Sequence, residues 1–244
     1  MCLSVEIKRL FPLGWLSREG VPPSNEDCKK LARFRDLVKK NDYREKDNTR
    51  LQDLQLVVLD TETTGLKPQA GDEIISVGAC RIHGLKVLPE VFHQLVNPNR
   101  PIPGLITDLT GISDQMVAGA EDFCTVAGDF LDYLQDSVII GHSIDFDLNF
   151  LNYKLKPYGV RINNFYLDTG ILSKALNPYS RMHTLDSILA GLGLDPEGRH
   201  TALGDALLTA KVFLCFYERL QFLGISTLWD LRCFLRNAIL YRFD

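Results

Sequence analysis

The sequence predicts a mixed α/β domain in which one sheet combines an antiparallel hairpin with parallel strands and is flanked by helices. Residues 54–60 (LQLVVLD) are a short continuous apolar run, which is typical of a buried central strand. Residues 73–82 and 86–96 are two further strand-like runs joined by the tight connection His83-Gly84-Leu85, and they predict a hairpin. The later apolar runs alternate with helical segments, which favours parallel strands.

The elements after the hairpin follow from the hydrophobic periodicity of the remaining residues. A long polar loop over 96–104 precedes the next predicted helix, near 121–135. The apolar run SVIIGH predicts a further strand, and FYLD predicts a short strand after it. Helices are expected over 145–156, 169–176, 184–192 and 202–222.

The chain is expected to divide into a main domain and two flanking segments. Residues 1–50 carry 12 Lys/Arg against 8 Asp/Glu and include an amphipathic segment, CKKLARFRDLVKK, which predicts a helix that starts after Ser24. This helix either guides a nucleic-acid backbone or packs its apolar stripe on the domain. Residues 51–223 form the predicted main domain, and 224–244 form an apolar tail that we expect to dock as a helix.

Composition excludes several classes of protein. The six cysteines form no CxxC pair, so we expect reduced thiols rather than disulfides or a structural zinc site. No stretch approaches the roughly 20 apolar residues that a membrane span needs, and charged residues interrupt the N-terminal segment where a signal peptide is apolar. We therefore expect a cytoplasmic protein without membrane contact. Residues 51–244 carry 15 Lys/Arg against 23 Asp/Glu, which argues against a broad basic face for duplex DNA.

Asp60-Thr-Glu62-Thr-Thr-Gly65 ends the first predicted strand. Residues i and i+2 of a strand point to the same side, so two carboxylates emerge together and repel unless a cation lies between them. An EF-hand calcium loop needs a bidentate Glu where Gly71 stands, and an aspartate-nucleophile phosphatase needs Asp where Glu62 stands. A two-metal phosphodiesterase site fits the pair. A polar strand end that simply turns at Gly65 is also open.

The segment Gly141-His-Ser-Ile-Asp145-Phe-Asp147 follows the strand SVII and opens a helix. Asp147 shares a helical face with the apolar residues Phe150 and Leu151, and a carboxylate on such a face must be paired or bind a metal. We therefore favour Asp147 as a ligand and interpret Asp145 as a helix cap. Two solvated aspartates in a first helical turn are the alternative.

The segment His200-Thr-Ala-Leu-Gly-Asp205-Ala begins the long helix over 202–222. Asp205 lies in the first turn of this helix, and His200 lies in the preceding loop, where an imidazole is free to move. A surface histidine is the alternative for His200. The segment His183-Thr-Leu-Asp186 resembles this pattern, but apolar residues surround it in the sequence, so we interpret His183 as structural.

The three motifs occur together by chance in about 1 in 10⁵ chains of average composition. In combination they resemble the DnaQ-like, or DEDDh, 3′–5′ exonucleases, which are related to the epsilon proofreading subunit of bacterial DNA polymerase III. DTETTG is similar to the family's first motif, GHSIDFD to the second and HTALGDA to the third. LTGIS at 109–113 resembles a segment that lies near the terminal nucleotide in the family. The resemblance covers about residues 54–222, and Ser143 departs from it where the family often has Asn.

The resemblance implies a ribonuclease H-like fold and a nuclease that releases nucleoside 5′-monophosphates from nucleic-acid 3′ ends, with single-stranded DNA preferred to RNA. Two Mg²⁺ or Mn²⁺ ions about 4 Å apart are expected at Asp60, Glu62, Asp147 and Asp205, with His200 as the general base. The residues expected to line the terminal nucleotide are Thr63, Thr64, Leu109, His142 and Phe146.

Other functions are open at this stage. An exoribonuclease or oligoribonuclease would use the same residues, because contacts to the ribose 2′-hydroxyl decide that preference. A proofreading subunit would act mainly through a polymerase or another replication or repair partner. An inactive nucleic-acid binder is disfavoured, because it has no use for buried carboxylates that repel each other.

Overall fold

The computed structural model describes residues 25–40 and 43–240. The strands in chain order are β1 Leu56–Thr63, β2 Ile74–His83, β3 Lys86–Leu95, β4 Val138–Gly141 and β5 Tyr166–Asp168. The α-helices are α1 Asn25–Lys40, α2 Gly104–Thr110, α3 Asp114–Val117, α4 Phe123–Leu134, α5 Asp145–Leu155, α6 Thr169–Leu176, α7 Leu185–Leu192, α8 Ala202–Phe222 and α9 Leu228–Leu240. The predicted helix start at Ser24 lies outside the described residues.

Within this part of the chain, five strands form one sheet in the order β3-β2-β1-β4-β5. The pairs β1–β2 and β2–β3 are antiparallel, whereas β1–β4 and β4–β5 are parallel. The predicted fold class is therefore confirmed. The helices predicted after the hairpin are present within two residues of their expected bounds. The sequence did not predict α2 and α3, because seven and four residues are too few to show helical periodicity.

The alternation of β1 divides its side chains between two apolar cores on opposite faces of the sheet. Val57 and Leu59 lie in a first core with residues of α1, α4 and α5. Leu56 and Val58 lie in a second core with residues of α6, α7, α8 and α9. The same alternation directs the next even-numbered side chain, Asp60, to the face that α8 covers.

Gly78 on β2 allows α8 to begin directly against the sheet. It is the antiparallel partner of Asp60, and a Cβ at this position would lie 2.2 Å from backbone atoms of Ala202 and Leu203. A larger residue therefore cannot stand here unless the start of α8 moves. The close approach holds the first turn of α8 beside the polar end of β1.

The basic helix α1 packs on the domain through its apolar stripe. Leu31 and Phe34 are 1% and 4% exposed and belong to the first core. Lys30 forms a 2.5 Å salt bridge with Asp129 of α4. These contacts favour packing over guidance of nucleic acid as the role of α1.

The apolar tail contains α9, which lies against the second core. Leu228 and Leu231 are buried there, whereas Trp229 is half-exposed. Over residues 25–40 and 43–240, no helix combines the length and the apolar character that crossing a membrane requires.

Candidate active site

Three carboxylates meet at the polar end of β1. Asp60 and Glu62 are half-buried on the strand, and Asp205 is 6% exposed in the first turn of α8. One ligand oxygen from each residue lies within 4.8 Å of the other two. Hard divalent cations such as Mg²⁺ and Mn²⁺ prefer carboxylate oxygens, so this group has the chemistry of a metal site.

Local contacts at the start of α8 hold Asp205 in this group. The hydroxyl oxygen of Thr201 accepts a hydrogen bond from the Gly204 amide at 3.1 Å, which is an ordinary helix N-cap. Gly204 approaches the preceding turn so closely that a Cβ would lie 1.9 Å from the carbonyl oxygen of Gly198. The sequence HTALGDA therefore combines a cap and a required glycine immediately before the acid.

Asp147 of α5 is linked to β1 through Thr61. Its carboxylate is 4% exposed, and Oδ1 accepts hydrogen bonds from the Thr61 amide at 2.9 Å and from the Thr61 hydroxyl at 2.6 Å. Asp147 is not among the three residues whose oxygens cluster within 4.8 Å. It is still close enough for its charge to affect Asp60 and Glu62.

The interpretation of Asp145 as a helix cap is wrong. Ile144 occupies the N-cap position of α5 and makes no side-chain capping bond. Asp145 is the first residue of the helix, and its Oδ1 accepts a 2.6 Å hydrogen bond from the hydroxyl of Tyr166 on β5. The sequence gives no sign of this contact, because β5 is a separate element 21 residues away.

Burial and the charges of neighbouring carboxylates raise the pKa values of Asp60 and Glu62. The pKa of Asp60 lies well above its usual value, first because the group is buried and then because Asp147 and Asp205 are near. Burial, followed by the charge of Asp205, raises the pKa of Glu62 to about 7. Burial raises the pKa of Asp147 to about 7. A bound cation would relieve this repulsion.

One unpaired oxygen of the site also fits a cation. Asp205 Oδ1 is buried and has no hydrogen-bond partner among the described residues. A buried carboxylate oxygen without a partner is costly, and a metal ion would satisfy it. The residues present at the end of β1 therefore fit the divalent ions that the sequence motifs imply.

His200 lies in the turn before α8 and is exposed. Its backbone is in the left-handed region at φ 62°, and its amide donates to Asp205 Oδ2 at 3.3 Å. Its neighbour Arg199, which no sequence motif identified, donates from Nη1 to the same oxygen at 2.5 Å. The only feature of the sequence that could have indicated this contact is the position of Arg199 directly before His200.

The five predicted nucleotide-contacting residues lie at the end of β1 and in the turn after it, in α2 and near the start of α5. The Thr63 hydroxyl donates to the Gly65 carbonyl at 2.7 Å, and the Thr64 hydroxyl accepts from the Glu73 amide at 2.9 Å, so both shape the turn after β1. Leu109 of α2 is half-exposed.

The other two members of this set lie near the start of α5. His142 Nδ1 is 3.0 Å from the hydroxyl oxygen of Thr169. That hydroxyl donates a hydrogen bond to the Gly141 carbonyl oxygen at 3.2 Å. Burial lowers the pKa of His142. Phe146 packs edge-on against Phe150, with ring centroids 5.8 Å apart.

Asp168 is a second positioning group that the sequence analysis missed. Its Oδ1 caps α6 by accepting from the Gly170 and Ile171 amides at 2.7 and 3.0 Å. Its Oδ2 accepts from the Ile144 amide at 3.0 Å, which fixes the turn into α5. An Asp between a strand and a helix is a recognisable cap signal, but the contact to Ile144 crosses 24 residues.

The prediction that His183 is structural is confirmed. Its Nδ1 is 2.9 Å from the hydroxyl of buried Ser173, and its Nε2 is 3.0 Å from the Ser180 carbonyl oxygen. Both ring nitrogens thus have protein partners.

Comparisons with known proteins show which family the chain resembles. A family model described as Exonuclease (RNase_T) matches residues 57–213. The "DNA polymerase III subunit epsilon-like protein" of Rhodobacter capsulatus is 42% identical over 182 residues, which are 73% of this chain and 26% of that protein. The "DNA polymerase III subunit epsilon" of Aquifex aeolicus is 34% identical over 184 residues, which are 75% of this chain and 90% of that protein.

A solved structure shares the fold. The nuclease domain of 3′hExo, described as a DEDDh family member bound to rAMP, has a TM-score of 0.59 and 20% identity, and the match covers 69% of this chain and 94% of that one. The chain spans only about a quarter of the length of the Rhodobacter relative. By the family match and the extent of identity to its relatives, the chain belongs to the exonuclease family whose DnaQ-like members its three motifs resemble.

Proposed function

We propose that the protein is a metal-dependent 3′–5′ exonuclease that releases nucleoside 5′-monophosphates from the 3′ ends of single-stranded DNA. The observation that carries the proposal is the group of Asp60, Glu62 and Asp205, whose ligand oxygens lie within 4.8 Å of one another. Membership of the exonuclease family supports the reaction type. The names of the epsilon relatives support DNA as the substrate.

We assign four carboxylates, those of Asp60, Glu62, Asp147 and Asp205, to two Mg²⁺ or Mn²⁺ ions. Such ions, when bound, make a water molecule more acidic and stabilise the leaving oxygen. Thr61 keeps Asp147 in place with its two hydrogen bonds. In this proposal exposed His200 is the general base, and an imidazole is the side chain most often used for that step.

The terminal nucleotide is proposed to bind beside the turn after β1. Thr63 and Thr64 give that turn its shape, and the half-exposed Leu109 offers apolar surface to a base. Thr169 uses its single hydroxyl proton on the Gly141 carbonyl, so His142 Nδ1 donates to Thr169. Neutral His142 then keeps Nε2 as an acceptor for a donor group of the nucleotide. Phe146, which packs edge-on against Phe150, is proposed to lie beside the nucleotide.

We also propose the division of the chain into an extension (1–50), an exonuclease domain (51–223) and a docked tail (224–244). The family match at 57–213 lies within the proposed domain. The names of the epsilon relatives make a polymerase, or another replication or repair protein, the partner class to test.

The test is degradation of 5′-labelled single-stranded DNA and RNA with intact 3′ ends, in Mg²⁺, in Mn²⁺ and in EDTA. We expect a metal-dependent ladder that shortens from the 3′ end, faster on DNA. Asp147→Asn retains an oxygen for the Thr61 donors, so it should stay folded while hydrolysis falls by about 100-fold or more. Asp145→Asn, two residues away and bonded to Tyr166, is the matched control and should hydrolyse like the parent protein.

Three outcomes would change the proposal. A faster ladder on RNA would replace DNA by RNA as the substrate class. Equal turnover by Asp147→Asn and the parent would remove Asp147 from the ligand set. A folded parent that shortens neither substrate would indicate a protein that acts through a partner or only binds nucleic acid.

A further inference from the structure

Arg199 joins two carboxylates that belong to different helices. Its Nε and Nη2 donate to the two oxygens of Asp186 at 2.6 and 3.3 Å, and its Nη1 donates to Asp205 Oδ2 at 2.5 Å. The arginine side chain is 17% exposed. A planar guanidinium with two edges in use has little freedom to rotate, so Arg199 is fixed relative to both helices.

One oxygen of Asp205 binds two consecutive residues of the loop, Arg199 through its side chain and His200 through its backbone amide. Oδ2 accepts from the Arg199 guanidinium at 2.5 Å and from the His200 amide at 3.3 Å. The other oxygen, Oδ1, has no partner among the described residues. Asp205 therefore uses one oxygen to hold the loop that carries His200 and keeps the other without a hydrogen-bond partner among the described residues.

The backbone of this loop needs such support. His200 is at φ 62°, a left-handed conformation that is unfavourable for a residue with a Cβ. The side chain of His200 is exposed, so burial does not hold it. Contacts of the neighbouring residues must hold the turn instead, and the fork of Arg199 on Asp186 is such a contact.

Asp186 belongs to the segment His183-Thr-Leu-Asp186, which resembles the third motif but is not among the clustered metal ligands. It is the second residue of α7, whose first turn Thr184 caps through the Ser187 amide at 3.3 Å. The carboxylate of Asp186 therefore belongs to a capped helix, whereas Arg199 belongs to a loop. The direction of support runs from Asp186 through Arg199 to His200.

We propose that Asp186 is a positioning residue for the exonuclease reaction and acts through Arg199 to hold the loop that carries His200. This inference rests on the proposed function, in which His200 is the general base. Asp186 touches neither substrate nor metal in this scheme.

The first test compares Asp186→Asn with the parent at saturating Mn²⁺ on labelled single-stranded DNA. The variant keeps Arg199, so Asp205 keeps its guanidinium partner, and only the anchoring of the loop is weakened. We expect kcat to fall roughly 10-fold, because small misplacements of a catalytic group are costly. KM and the calorimetric Kd for Mn²⁺ should change by less than about twofold, because the ligands are unaltered.

A double-mutant cycle separates positioning from a general structural effect. In the His200→Ala background, Asp186→Asn should cause no further loss of kcat, because its effect passes through His200. Asp53→Asn breaks an exposed 2.7 Å ion pair with Arg50 elsewhere in the chain and should leave kcat unchanged in both backgrounds. An equal loss from Asp186→Asn with and without His200 would overturn the proposal.

Hydrogen–deuterium exchange tests the loop without reference to activity. In EDTA, amides over 193–201 should exchange faster in Asp186→Asn than in the parent and in Asp53→Asn. Unchanged exchange together with unchanged kcat in an active protein would overturn the inference and leave the proposed function intact. A parent without metal-dependent hydrolysis would instead overturn the proposed function, and this inference with it.

Discussion

At the scale of single residues, the absence of a side chain at Gly78 determines both how α8 packs on the sheet and where Asp205 lies. A Cβ there would lie 2.2 Å from the backbone of Ala202 and Leu203. We expect Gly78→Ala to displace the start of α8, lower the free energy of unfolding by about 1–3 kcal/mol and weaken Mn²⁺ binding, because Asp205 moves with that turn. Urea unfolding and titration calorimetry measure the two effects.

Gly191 provides the matched control for that substitution. It lies in α7, and a Cβ there has no neighbour within 4 Å. Gly191→Ala should raise the free energy of unfolding by about 0.5–1 kcal/mol through helix propensity and leave Mn²⁺ binding unchanged. Equal Mn²⁺ affinity in Gly78→Ala and Gly191→Ala would show that the approach of α8 to β2 does not place Asp205.

At the scale of elements, the sequence predicts the features that strand alternation and helix caps determine. It does not predict contacts between residues of elements that are far apart in the chain. The period of two in β1 predicts that Asp60 and Glu62 share a face, and the structure has them together. The roles of Asp145 and Arg199 depend on Tyr166 and Asp186, which lie 21 and 13 residues away in other elements. No local pattern encodes these contacts, because they arise only when separate elements pack.

Helix α1 lies outside the family match, and its packing on the first core predicts that it contributes to stability. Leu31 is 1% exposed in the first core, so Leu31→Ala should lower the free energy of unfolding by about 2–5 kcal/mol. Lys29→Ala is the control on the same helix, because Lys29 is exposed and should change stability by less than about 0.5 kcal/mol. Urea unfolding decides between them. A loss of stability in neither variant would indicate that α1 contributes little to the domain.

At the scale of the whole molecule, the buried acids couple stability to pH and to metal. Glu62 has a pKa of about 7 in the folded protein against 4.5 for an ordinary Glu, and the pKa of Asp147 is also raised to about 7. Between about pH 4.5 and 7 the metal-free folded chain therefore binds protons that the unfolded chain has released. The stability that these protons supply is complete below the unfolded pKa and is lost as pH rises through the folded pKa.

The expected result is a Tm in EDTA that declines more steeply over this pH range in the parent than in Glu62→Gln, which cannot ionise. Other carboxylates also titrate, so the difference between the two proteins isolates Glu62. Mn²⁺ binds the ionised carboxylates of the folded chain, and it should therefore raise the parent's Tm more at about pH 8 than at about pH 5. Calorimetric scans with EDTA or Mn²⁺ measure both effects. Parallel pH profiles for the parent and Glu62→Gln would mean that Glu62 ionises normally in the folded protein, and that the carboxylates at β1 do not repel each other strongly enough to require a cation.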